Sequence, residues 1–125
     1  MISEQLSFLP DSLPDSHPFP PARERTVWNA LPQRVKDRFL KAGEAALAAA
    51  IAPLPLSLWL DFSHTGRRTA WEDAYFSRRA RLCALVCAEC VEHQGRFLYA
   101  IADTVWAICE ESAWQLPAHN SYIRD

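Results

Sequence analysis

An all-α fold is predicted for this chain of 125 residues, and three observations predict it. Apolar residues recur at helical spacing from Ala22 onward. No run alternates at period two long enough to make a strand. Prolines and glycines punctuate the helical stretches so that only short connections remain between them. Helices joined by short loops, several of them broadly apolar, read as an antiparallel helical hairpin array rather than an isolated amphipathic bundle. The expected organisation is an extended arm over residues 1–21 and a helical domain over residues 22–125.

The arm comes first. Residues 9–21 hold five prolines and a tandem repeat, Leu9-Pro-Asp-Ser12 followed by Leu13-Pro-Asp-Ser16. Proline fixes φ and removes a backbone donor, so this stretch is expected to be extended. Its apolar residues Phe8, Leu9, Leu13 and Phe19 favour an arm docked across the helical body. A short helix is predicted over Arg23 to Leu31, with Val27, Trp28 and Leu31 on one face. Pro32 suits the first turn of the next helix. That helix is expected to run to about Ala52, with Val35, Phe39, Ala42, Ala46 and Ala50 at helical spacing. Its alanine-rich second half suits close helix–helix contact, and Pro53 and Pro55 end it.

Residues 56–64 are expected to form a third helix with Leu56, Trp59 and Leu60 inward and Gly66 as its C-terminal cap. Thr69-Ala-Trp-Glu72 has the spacing of a capping box, in which two side chains satisfy two free backbone N–H groups. The helix it opens is expected to reach His93, with Gly95 closing it. The last helix is predicted from Phe97 to about Ser112, before Pro117.

Composition excludes several classes of function. Half the residues are apolar and 22% are charged, a globular balance. A net charge of -2 argues against a nucleic-acid partner, which needs a basic face. The N-terminus has no basic region followed by an apolar one, and Pro53 and Pro55 interrupt the most apolar stretch. Neither a secretory signal nor a membrane span is expected, and the chain reads as cytoplasmic with its four cysteines reduced. With only three glycines there is no phosphate-binding loop, and no cofactor is expected.

Cys83, Cys87, Cys90 and His93 fall on one helix face, which raises a metal-binding helical protein as one alternative. Four ligands on one straight helix cannot surround an ion tetrahedrally, however. Small cysteines filling helix contacts, with no metal, is the preferred reading. His17 and His64, in the arm and in a turn, read as surface residues.

The most informative segment is Ile108-Cys-Glu-Glu-Ser-Ala-Trp-Gln-Leu-Pro-Ala-His-Asn120. A helix ends in two carboxylates, a tryptophan follows, and a proline-containing loop presents an imidazole and an amide. An indole face stacks on the apolar face of a pyranose, while carboxylate, amide and imidazole groups bond its hydroxyls or move its protons. The plainer reading has Glu110 and Glu111 paired with arginines, Trp114 in the core, and His119 and Asn120 capping a turn. Arg79 or Arg78 is a candidate to bridge a carboxylate of Glu110 or Glu111 with its planar guanidinium. Arg78 and Arg81 read alternatively as solvated residues on a helix flank.

This segment resembles the Ile-Cys-Glu-Glu, Trp and Pro-Ala-His-Asn stretch in the N-terminal toroid of heparinase II/III-like polysaccharide lyases. Trp28-Asn-Ala-Leu31, Phe62-Ser-His-Thr-Gly-Arg67, Phe76-Ser-Arg-Arg-Ala-Arg-Leu82 and Ala102-Asp-Thr-Val-Trp106 resemble upstream elements of that family in the same order. The similarity spans roughly residues 20–125. It implies an incomplete (α/α) toroid and a lyase that cleaves uronic-acid-containing polysaccharides by β-elimination. Glu111 and Trp114 are carried over as substrate-binding residues, and His119 and Asn120 as catalytic candidates lining the cleft. Family members place further Asn/His and Tyr residues, and a β-sandwich, downstream of this motif, so an isolated chain of this length is expected to be inactive. The rival expectation is a non-catalytic helical interaction module, in which an incomplete toroid leaves an apolar edge that self-associates or binds a partner.

Overall fold

A computed structural model describes residues 19–119, and these are helical with no strand among them. The proline-rich stretch before Phe19, Asn120 and Tyr122 lie outside the described residues. Five α-helices follow in order: α1 (Arg25–Asn29), α2 (Gln33–Ala48), α3 (Leu56–Thr65), α4 (Thr69–Glu92) and α5 (Leu98–Cys109). A single 3-10 turn, Pro117–His119, ends the described chain. Among the described residues no helix is long and apolar enough to cross a membrane.

The longest helix, α4, is the spine, with α2 packed along one side and α5 along another. Leu85 and Ala88 of α4 are fully buried with Phe97, and Ala46 of α2 and Ala100 of α5 complete the core. Gly43 of α2 faces Ala88 so closely that a Cβ at Gly43 would stand 2.2 Å from the Cβ of Ala88. Phe97 is the largest fully buried side chain, and its ring lies over Gly43.

Proline and glycine positions set the breaks. Pro32 is the N-cap of α2 and Pro55 that of α3, where a fixed φ and a missing N–H cost nothing. Gly66, at φ 74°, caps α3 in the left-handed region as the spacing predicted. His93 itself takes the left-handed cap of α4 at φ 56°, two residues ahead of Gly95.

Three expectations of the sequence reading are corrected. The capping box does not form: α4 begins at Thr69 itself, so its threonine is one residue too late to be the cap. Glu72 instead lies beside Arg68, with Nε and Oε1 3.7 Å apart. Leu56 and Leu60 point outward, at 68% and 39% exposure, because Trp59 is the residue of α3 that meets α4. Helix α2 ends at Ala48 rather than near Ala52, which leaves Ala50 outside it, and its buried residues are Gly43 and Ala46 while Ala42 is exposed.

Helix ends are satisfied across the fold rather than within each helix. None of α2, α4 or α5 has a basic residue in its own last turn. Arginines from other elements take the free carbonyls instead. Arg81 of α4 donates to the carbonyls of Ala46 and Ala49 at the end of α2. Arg25 of α1 donates to Cys90 and Val91 at the end of α4, at 2.6 and 2.8 Å. Arg78 of α4 donates to Ala107 near the end of α5, at 3.0 Å. Each bond fixes one helix end against another, so capping and tertiary packing are the same contacts.

At the start of α5 the sign reverses. The buried carboxylate of Glu89 accepts from the N–H of Gly95 at 2.7 Å and of Phe97 at 3.2 Å. An anion is favoured where helix N–H groups are free. Glu89→Ala is expected to lower stability by about 1–3 kcal/mol, because it strands two N–H groups at a buried turn. Chemical unfolding followed by circular dichroism checks this. A loss below the low end of that range would mean that water replaces the carboxylate there.

Candidate functional site

The site is built by the ten residues after α5. The helix closes at Cys109, three residues earlier than its apolar spacing predicts, and Glu111 turns inward just beyond it. The Glu111 side chain is only 1% exposed, and both of its oxygens are held by arginines of α4. Oε1 accepts from Arg79 at 2.8 Å and from Arg78 at 3.1 Å, and Oε2 accepts from Arg79 at 2.5 Å. The pairing is bidentate on the Arg79 side, the geometry in which a guanidinium holds a carboxylate most firmly. Hydrogen bonding to the Glu111 carboxylate raises the pKa of Arg79 above its ordinary value.

The tie extends further along the segment. The Arg79 guanidinium lies 3.3 Å from the centroid of the Tyr75 ring. The Tyr75 hydroxyl donates to the carbonyl of Trp114 at 2.9 Å. Glu111, Arg79, Tyr75 and Trp114 therefore form one linked set, which pins residues 111–114 to the first half of α4. Beyond it Pro117 is buried, and the 3-10 turn packs on α3. The segment thus crosses the α3–α4 hairpin from one helix to the other.

Against residues 110–113 lies an open cavity of about 450 Å³. Its lining includes Leu54, Leu56, Trp59, Trp71, Arg78 and Glu110. The volume is in the range that small-molecule sites occupy, and the mix of apolar walls with a few polar groups is also theirs. Trp59 and Trp71 meet edge to face with centroids 5.0 Å apart. Trp71 is buried, and its Nε1 has no hydrogen-bond partner among the described residues.

The predicted residues divide into three groups. Glu111 does line the cavity, but its carboxylate is committed to Arg78 and Arg79 and acts as an anchor. Trp114 stands at 63% exposure on the pinned segment, so its indole is open to a partner rather than in the core. His119 is exposed on the 3-10 turn, while Asn120 lies outside the described residues. The Trp59–Trp71 pair was missed as a unit. A signal existed: the two residues flank the Gly66 break at similar distances, and a hairpin folded there brings them together.

The cysteine row behaves differently from its expectation in one respect. Cys83 is exposed, whereas Cys87 and Cys90 are half-buried. Burial raises the thiol pKa of both Cys87 and Cys90, which keeps them protonated at neutral pH. Among the described residues, no group of three or more His, Cys, Asp or Glu side chains is arranged to hold a metal ion.

Comparison of the sequence with known protein families, and with curated proteins, finds no match.

Proposed function

We propose that this chain is the N-terminal helical segment of a heparinase II/III-like polysaccharide lyase, part of an (α/α) toroid, and that it supplies one wall of a cleft for uronic-acid-containing glycans. The observation that supports the proposal is the cavity lined by residues 110–113 and the α3–α4 hairpin. Its lining includes Trp59, Trp71 and Arg78, and Trp114, next in sequence after the lining residue Ala113, is exposed. Indoles suit the apolar faces of sugar rings, while Arg78 is held by Glu111 and two backbone carbonyls and shapes the wall. The sequence resemblance adds the reaction class. In a β-elimination a proton leaves the carbon beside the uronate carboxylate, and electrostatic stabilisation of the charge that develops there is the main demand on the protein.

In this reading Glu111 positions the segment, Trp114 stacks on sugar, and His119 and Asn120 are the candidate catalytic residues. The isolated chain binds but does not cleave, because the family's principal proton-transfer residues lie downstream of the motif.

Titration calorimetry with oligosaccharides of several uronate polymers tests the binding. Trp114→Ala is expected to weaken it about tenfold, the loss of one aromatic stacking contact. Absence of binding to every uronate polymer tried would remove the cleft. Ultraviolet detection of unsaturated product from the isolated chain would instead refute the assignment of the proton-transfer groups to another region. A second reading, the non-catalytic helical interaction module, is favoured by one observation, the exposed apolar face of α5.

A further inference from the structure

Helix α5 is apolar on two opposite sides. One side, formed by Ala100 and Thr104 with the preceding Phe97, is buried against the core. The other carries Leu98, Tyr99, Ala102, Val105, Trp106 and Cys109, all of them exposed. Their spacing of i, i+1, i+4, i+7, i+8 and i+11 makes a continuous stripe along the whole helix. A helix apolar on all sides is normally covered on all sides. Tyr99 at 88% exposure and Trp106 at 68% are among the most exposed large apolar residues of the described chain.

We propose that this stripe is the interface of a twofold homodimer, with α5 packed antiparallel on α5 of a second copy. The argument is self-complementarity. An antiparallel pair with its axis at Ala102 sets each Leu98 against the other copy's Trp106 and each Tyr99 against the other copy's Val105. Ala102 then faces its own counterpart, and its small side chain permits the close approach that a twofold crossing needs. Each large residue meets a smaller one, and no like charges meet. The only ionisable carboxylate of the helix, Asp103, stands at the edge of the stripe, where it stays in water.

The area is sufficient. Aromatic side chains bury 150–250 Å² each, so Tyr99, Trp106, Leu98 and Val105 together offer roughly 500 Å² per copy. Two copies reach about 1,000 Å², the lower bound for a specific interface. Affinity should therefore be modest, with Kd on the order of 10 μM. This inference does not depend on the sugar cleft, whose cavity shares none of these six residues.

Light scattering and sedimentation on the full chain test it. The expected result is a concentration-dependent dimer that Ala102→Asp and Trp106→Ser each weaken at least tenfold. Circular dichroism should be unchanged in both, since neither side chain contributes to the monomer core. Phe76→Ser, which removes an exposed apolar side chain from α4, should leave the dimer intact. A wild-type monomer at about 200 μM, well above the expected Kd, would overturn the proposal. So would a dimer that survives both α5 substitutions, or one that Phe76→Ser weakens to the same degree.

Discussion

Replacing Glu111 with alanine is expected to lower the stability of the chain by about 3–5 kcal/mol, the range found when one partner of a buried ion pair is removed. The expectation rests on what remains after the change. Arg78 and Arg79 have side chains only 11% and 27% exposed, and both lose their shared anion. Arg78 keeps its bonds to the carbonyls of Ala52 and Ala107, and Arg79 keeps its contact with the Tyr75 ring and carbonyl. Two positive charges nevertheless remain close together in a poorly solvated place. Glu111→Gln should cost less than alanine, because one carbonyl oxygen still accepts a bond, but its amide N–H then faces an arginine donor. Arg79→Lys should cost about 1–2 kcal/mol, because an ammonium cannot bond both oxygens in one plane.

Urea unfolding followed by tryptophan fluorescence gives these values. The double variant Glu111→Ala with Arg79→Ala should be clearly more stable than the sum of the two single losses, since the stranded charge leaves with its partner. If Glu111→Ala stays within 1 kcal/mol of the parent, water reaches the arginines and the segment is not anchored in this way. The same variant bears on the site. With the anchor gone, the segment is held to α4 by the Tyr75–Trp114 hydrogen bond, and the exposed Trp114 is less firmly fixed.

Several of these contacts were legible in the residues, and the reason differs from case to case. The breaks at Pro53, Pro55 and Gly66 are local chemistry, since proline and a left-handed glycine act on their own backbone. Pro55 and Gly66 cap α3 where the spacing placed them, whereas α2 ends at Ala48, four residues short of the end expected from Pro53. The pairing of Glu111 with α4 was also foreseeable. A run of arginines and a pair of carboxylates on adjacent antiparallel helices have few other partners. Which glutamate turned inward was not foreseeable, because that depends on where α5 ends. It ends at Cys109 with no proline or glycine beside it, and Glu111 turns inward just beyond that end.

Helix faces were the least reliable part, for a geometric reason. A row at i, i+4, i+8 drifts about 40° per step around a helix of 3.6 residues per turn. Ala42 and Ala46 are one step of such a row and only Ala46 is buried in the α2–α4 contact, while Ala50 lies beyond the end of α2. Gly43 does the rest, and nothing in its immediate neighbourhood announces that role. The arginine caps were equally hidden. Arg25 and the carbonyls it holds are 65 and 66 residues apart, beyond the reach of any local pattern. The candidate site shows both effects. Trp114, His119 and Glu111 could be named from one contiguous motif. The Trp59–Trp71 pair in the cavity lining required the hairpin to be folded first.

That hidden role of Gly43 gives the second large effect. Gly43→Ala, a change that ordinarily stabilises a helix by about 0.5–1 kcal/mol, is expected here to destabilise by about 1–3 kcal/mol. A Cβ built at Gly43 would stand 2.2 Å from the Cβ of Ala88, 3.3 Å from Phe97 and 3.4 Å from the carbonyl oxygen of Ala84. Ala88 has no rotamer with which to retreat, so α2 must move away from α4 by roughly 1.5 Å to restore ordinary carbon–carbon contact. That movement loosens Phe97, and it draws the carbonyls of Ala46 and Ala49 away from Arg81. A larger residue such as leucine should be worse still. The thermal midpoint of Gly43→Ala should fall by about 5–15 °C for a domain of this size. Adding Ala88→Gly should recover part of the loss, because it vacates the atom that clashes, even though glycine in the middle of α4 carries its own cost. A Gly43→Ala variant as stable as the parent would mean that α2 and α4 pack further apart than this fold has them. Failure of Ala88→Gly to recover any stability would place the clash elsewhere, on the Phe97 ring.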